Sequence, residues 1–239
     1  MAFTQCIVLA ITSHMWLHVT QTYYAEMAAN ALLATNKHGC GRFIALGTVY
    51  ERFAPQIKAS NSFGSSDFYV LSKDYAHSMT NQLAYKLGID YAWCTICHPI
   101  GRFIKPEQMM AYAVSSLLAG TKPSFGPALS PYDIVAVEDV AYGLCLLGRA
   151  PKLDKREYYI GSGSPKPLFS WLEETRRVLG ANVQIGIGER PDDGLCFAES
   201  WFDTANLAEA TGYAPRVGFA DAVKLVAGWV SGLAPRSLA

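Results

Sequence analysis

Short apolar runs alternate with helix-like stretches along this chain, and no other feature constrains its fold so tightly. "CIVLAIT" (6–12), "RFIALGT" (42–48) and "DYAWCTICHP" (90–99) each read as a buried strand. Between the first two, "YYAEMAANALLATNK" (23–37) reads as a helix, and "HGCG" ends it with glycine. Between the second and third, "ERFAPQIKASNSFGSSD" reads as a loop, and its last residues, Ser66 and Asp67, are good helix caps. A long helix follows from Phe68 to Leu87 and stops at Gly88. Alternation of this kind predicts an α/β fold on an open parallel sheet.

The pattern continues with a loop and helix over 101–120, then a short strand running into a helix over "YDIVAVEDVAYGLCLLGRA" (132–150). From Pro151 the texture changes. "REYYIGSG" reads as a strand, "PLFSWLEETRRVLG" as a helix, "ANVQIGIG" as a strand and "FADAVKLVAGWVSGL" as a closing helix. The expected division is therefore 1–150 and 151–239. Asp133, Glu138 and Asp139 read as caps for a helix starting near 139. Lys37, Arg42 and Lys58 read as solvated surface charge.

Half of the chain is apolar (51%), enough for a sizeable core. Lys+Arg and Asp+Glu are 20 each, so no net field draws in nucleic acid or an anionic membrane. The apolar start lacks a basic flank and is too interrupted to span a bilayer, so no membrane segment is expected. Six scattered cysteines read as reduced, buried thiols of a cytoplasmic protein. Cys94-x-x-Cys97 lies in an apolar strand, where i and i+3 face opposite sides, and no second Cys/His pair accompanies it. His14-x-x-x-His18 has helical ligand spacing without the glutamate a metalloprotease helix needs. No metal site is expected.

In "FYVLSK", Tyr69 and Lys73 are spaced i, i+4 and share one helix face. A tyrosine hydroxyl ionises only near pH ~10 unless helped. A neighbouring ammonium favours the phenolate, which gives a general acid/base usable near neutral pH. The spacing alone fits two ordinary helix residues as well. Context adds Thr48, a hydroxyl at the C-terminal end of a strand, where open α/β sheets place their ligands.

In order, the chain offers "RFIALGT", "YVLSK", "HPIGR", "YDIVAVEDVA", "YYIGSG" and "RPDD", then "WFDTANLAEATGYAPRVGFADAV". That series resembles the NAD-dependent epimerase/dehydratase family, the extended branch of the short-chain dehydrogenases/reductases, over roughly residues 25–235. The resemblance implies a Rossmann-like parallel sheet, N-terminally incomplete, with a smaller C-terminal α/β substrate domain. It implies NAD or NADP as cofactor and a nucleotide sugar as substrate. Tyr69 would exchange a proton with a sugar hydroxyl or keto group. Lys73 would lower the Tyr69 pKa and hold the nicotinamide ribose, so both residues face the cofactor. Thr48 would hydrogen-bond the same substrate oxygen. Laying "TVYE" on the family's "V-Y-G" would put Leu46 in that place instead, but the strand exit favours Thr48. Arg190 of "RPDD" would fork onto a nucleotide phosphate. His98 follows the strand after the Tyr69 helix, near the family's substrate-contacting asparagine, and reads as a substrate contact or a loop-capping histidine. The resemblance also implies a homodimer, with the helix from about 23 and the Tyr69 helix of each copy forming a four-helix bundle.

One family feature is missing. The family's pyrophosphate loop, G-x-x-G-x-x-G, follows its first strand. Here the first glycine is Gly39. "YYIGSGSPKP" carries Gly161-x-Gly163 after a strand, but Lys166 stands at the third glycine position, so this is not the dinucleotide site. A second class of function fits the same residues: a truncated or degenerate relative without stand-alone activity, either a pseudoenzyme or a fragment needing a partner. An incomplete sheet would then expose an apolar edge and promote association.

Overall fold

The computed structural model describes residues 5–8, 20–60, 64, 67–192 and 194–233. In chain order its elements are β1 (Gln5–Val8), α1 (Thr20–Lys37), β2 (Arg42–Thr48), α2 (Ala54–Ala59), α3 (Asp67–Leu87) and β3 (Asp90–Ile96). β4 (His98–Ile100), α4 (Met109–Leu118), β5 (Pro131–Tyr132), β6 (Ile134–Ala136) and α5 (Val137–Arg149) follow. The last are β7 (Glu157–Tyr159), β8 (Lys166–Pro167), α6 (Leu168–Val178), α7 (Ala205–Thr211) and α8 (Phe219–Leu233). The chain forms two interleaved units: 1–96 with 142–160 and 204–213, and 97–141 with 161–203 and 214–239. The expected boundary near 150 falls inside the first unit, because β7 pairs with β3 and returns the chain to the first sheet.

The first unit is a parallel four-stranded sheet in the order β1-β2-β3-β7. β2 pairs with β3 in register from Arg42↔Asp90 to Thr48↔Ile96. All seven residues of β2 are buried, as expected for a strand covered on both faces. Helix α1 buries Ala25, Ala28 and Leu32 at helical spacing. They join Ala76 and Ala84 of α3 and Phe43, Tyr91 and Trp93 of the sheet in one cluster. Small residues on the buried stripes let α1 and α3 sit close to the strands. The α3 stripe runs Val70, Lys73, Ala76, Thr80, Ala84, so a lysine stands in a buried row. Gly88, at φ 66°, ends α3 in the left-handed conformation that favours glycine.

Arg42 is not surface charge. It is buried, its Nε donates to Asp90 Oδ2 at 2.7 Å, and its Nη1 reaches the carbonyls of Leu147 and Ala150 at 2.7 and 2.6 Å. One guanidinium thus satisfies the orphan carbonyls at the end of α5 and ties that helix to β2. Lys58 does lie at the surface, paired with Asp74.

In the second unit β4 pairs in parallel with β6, and β5 pairs antiparallel with β8. The expected strand over 90–99 is therefore two strands of different sheets, parted at Cys97. Two of the acidic residues named as caps, Asp133 and Asp139, do other work. Asp133 is fully buried and accepts hydrogen bonds from Ser162 Oγ and from Gly163 N, the latter at 3.1 Å. Asp139 accepts from the amides of Arg216 and Val217 at 2.8 and 3.0 Å. Each carboxylate ties a distant segment to its strand or helix. The α5 helix itself starts at Val137.

Three local expectations differ. Residues 51–59 of the expected loop are helical: a 3₁₀ turn over Val49–Phe53 leads into α2, which Pro55 opens. "ANVQIGIG" forms no strand; it makes one bridge, Ser124↔Gly186, where the Gly186 amide donates to the Pro123 carbonyl and the Gly186 carbonyl accepts from the Phe125 amide. The helix α7 was not anticipated. Ser66, His14 and His18, and residues 9–12 of the first predicted strand, lie outside the described residues. Cys94 and Cys97 are buried free thiols, whereas Cys145 and Cys196 are exposed, against the expectation of buried cysteines. Among the described residues no helix is long and apolar enough to cross a membrane, and no His/Cys/Asp/Glu group could hold a metal.

Candidate active site

Thr48 is the last residue of β2, and its backbone is extended at φ −142°, ψ 148°. Its hydroxyl accepts the Tyr50 amide at 3.4 Å, which caps the 3₁₀ turn as it leaves the strand. The same hydroxyl acts on the Tyr69 side chain, in the first turn of α3, and draws its pKa down. Tyr50 meets Tyr69 edge-on, with ring centroids 6.5 Å apart. Lys73 follows one turn later, buried, with its Nζ 5.9 Å from the Tyr69 ring centroid. The structure therefore brings Thr48, Tyr69 and Lys73 together. Leu46 is a buried residue of β2.

The electrostatics differ from the expected depression of the tyrosine. Burial holds the Tyr69 pKa above its ordinary value; the Thr48 hydrogen bond pulls it down, and the charge of Glu51 adds to the rise. Burial lowers the Lys73 pKa, and Glu51 acts against that fall. In the chain by itself, desolvation outweighs any help from the ammonium, so Tyr69 rests as a phenol.

Glu51 was not anticipated. The 3₁₀ turn carries it inward to 7% exposure. Its carboxylate accepts Trp93 Nε1 at 2.8 and 3.1 Å and lies 3.2 Å from His77 Nδ1. Burial raises its pKa, and these donors oppose the rise. His77 stacks flat on Trp93, centroids 4.6 Å apart. Tyr69, Lys73 and His77 lie at i, i+4 and i+8 of α3, a spacing that could have placed His77 on the same face from sequence. Nothing in the sequence marked Glu51 as buried.

His98 and Arg190 belong to the second unit. His98 is half-buried in β4 and not a loop cap. Its ring lies 4.6 Å from that of Tyr132, and its Nδ1 lies 3.0 Å from Cys97 Sγ. Burial lowers its pKa to about 4, so it is neutral near pH 7. Burial pushes the Cys97 thiol up to about 12, which leaves it inert. Arg190 is exposed; Nη2 donates to Tyr112 Oη at 2.9 Å, and the guanidinium lies 5.0 Å above that ring. The Gly163 amide is committed to Asp133.

The model of the NAD dependent epimerase/dehydratase family matches residues 5–161. No curated protein matches the chain. Among solved structures, the UDP-N-acetylglucosamine 4-epimerase of Bacillus cereus is 14% identical with a TM-score of 0.74, covering 95% of this chain and 80% of that one. The UDP-glucose 4-epimerase of Thermotoga maritima, solved with UDP-glucose, is 18% identical with a TM-score of 0.70, covering 95% and 77%. RMD from Pseudomonas aeruginosa complexed with NADPH is 17% identical with a TM-score of 0.70, covering 95% and 82%. At such identities the likeness is one of fold.

Proposed function

The chain belongs to the NAD-dependent epimerase/dehydratase family, and on that premise we propose that it is an NAD(P)-dependent enzyme acting on a nucleotide sugar. The observation that carries this reading is the buried Lys73 beside Tyr69 in the first turns of α3, with Thr48 at the C-terminal end of β2 acting on the tyrosine. Open α/β sheets present their ligands at that end of the strands.

In this reading Tyr69 Oη takes the proton of a sugar hydroxyl or gives one to a sugar ketone. The Thr48 hydroxyl holds the same oxygen and fixes the line of transfer. Lys73 stabilises the phenolate while the proton is away and bonds the nicotinamide ribose. NAD or NADP, when bound, supplies the hydride acceptor or donor. The buried Lys73 beside Tyr69 fits that end of the cofactor. Arg190, stacked on Tyr112 with its guanidinium exposed, suits a nucleotide phosphate. Neutral His98 can donate or accept a hydrogen bond to a sugar hydroxyl.

A second reading keeps the fold and the pair but not independent turnover. The chain holds no glycine before Gly39, so its first strand is not followed by a glycine-rich turn for the pyrophosphate. Calorimetry with NAD(H) and NADP(H) separates the two readings. Micromolar binding, weakened by Lys73→Ala, supports the enzyme. No binding at millimolar cofactor supports the inactive relative.

A further inference from the structure

The Glu51 carboxylate is buried and well held. Trp93 Nε1 reaches both of its oxygens, and His77 Nδ1 lies 3.2 Å from one. Gly47 makes room for the Trp93 indole, since a Cβ there would overlap it. His77 is clamped in turn by stacking on Trp93. Its Nε2 is buried without a hydrogen bond and lies 3.8 Å from Glu157 Oε1.

His77, whose Nδ1 lies 3.2 Å from Glu51, follows Lys73 by one turn of α3, and Tyr50, the residue before Glu51, meets the Tyr69 ring edge-on. An ammonium buried as Lys73 is needs an opposite charge to stay protonated. Glu51 is a carboxylate whose charge acts on it, and the same charge acts on Tyr69. The other titratable groups around Glu51 are tied elsewhere. The Tyr91 hydroxyl is bonded to Thr80, and Arg156 is bonded to Asn81. Glu157 is exposed.

We propose that Glu51 is a positioning residue of the Tyr69–Lys73 site, its carboxylate clamped by Trp93 and His77 to hold Lys73 as an ammonium beside the tyrosine. Its meaning for catalysis rests on the function proposed above; the charge coupling itself does not. Without the carboxylate, Lys73 would become neutral more readily and offer less charge to a phenolate.

The test is a pH titration of Lys73 in the full chain without cofactor, by NMR of ¹³Cε-labelled lysine assigned through Lys73→Met. In Glu51→Gln the Lys73 midpoint should fall, and Glu51→Asp should restore most of it. A merely structural role predicts the opposite sign, because loosening the pocket admits water and lets the midpoint rise. An unchanged or raised midpoint in Glu51→Gln overturns the proposal. Should Glu51→Gln lose its near-UV circular dichroism, Lys73→Met reads the same coupling from the other side: the Glu51 carboxyl midpoint, by ¹³Cδ, should rise, and no rise overturns the proposal. Calorimetry on the same samples keeps the two readings apart. A wild-type chain that binds no NAD(P) removes the enzyme reading and leaves the measured coupling standing. Cofactor binding with an unaltered Lys73 midpoint in Glu51→Gln removes the coupling alone.

Discussion

Trp93 of β3 fills the space that a side chain at Gly47 of β2 would occupy, and from there its indole N–H reaches Glu51. The rigid ring cannot yield as a flexible side chain would. Gly47→Ala should therefore destabilise the chain by about 1–3 kcal/mol through overpacking. Gly41→Ala is the control, since nothing lies within 4 Å of a Cβ there. Urea melts should show a clear loss for the first and little change for the second. Equal midpoints would mean that Trp93 does not need the glycine.

The Thr48–Tyr69 contact makes a graded prediction. Tyr69→Phe removes the proton carrier and should lower turnover of a nucleotide sugar by about 10²–10⁴-fold. Thr48→Val removes only the hydroxyl that aims it and should cost less. Both variants should still bind NAD(P), whereas Lys73→Ala should weaken binding. A Tyr69→Phe chain with undiminished turnover would sink the assignment.

The fold was legible where pattern and partner agree. The helices of α3 and α8 and the strand β2 lie where periodicity put them, since each buries the face its apolar residues define. The break at Cys97 was not legible, because an apolar run says nothing of which sheet each half joins. Arg42 was misread for a related reason. A charged residue at a strand start usually points to water, and only the folded chain brings the carbonyls of Leu147 and Ala150 to it. Of the candidate site, Tyr69, Lys73 and Thr48 could be placed by spacing and strand exit. Glu51 could not, since its burial depends on the 3₁₀ turn after Thr48 and on the space over Gly47.

His98 predicts a pH dependence of stability. Its ordinary pKa of 6.5 falls to about 4 in the folded chain because burial disfavours the imidazolium. Between those values the unfolded chain binds a proton that the folded chain does not. Stability contributed by the neutral ring is therefore present above pH 6.5 and is lost as pH falls through 4. His98→Gln cannot take up that proton. Urea midpoints measured from pH 7 to 4 should fall further for wild type than for His98→Gln. Parallel curves would show that the ring is not desolvated.

The outer faces of α1 and α3 carry a prediction about assembly. Their inward stripes, Ala25, Ala28 and Leu32 on one and Val70, Ala76 and Ala84 on the other, are buried within the first unit. That leaves Tyr23 and Met27 of α1, and Phe68, Tyr75 and Tyr85 of α3, at 56–76% exposure. Large apolar side chains gathered on two neighbouring helices mark an interaction surface. A second copy would cover them with the same helices, in an isologous interface. Light scattering should give a dimer for the wild type. Met27→Glu combined with Tyr75→Glu should give a folded monomer, because two carboxylates would be buried at the interface without partners. The circular dichroism should be unchanged, since neither residue is buried in the isolated chain. A wild-type chain that stays monomeric at high concentration overturns the prediction.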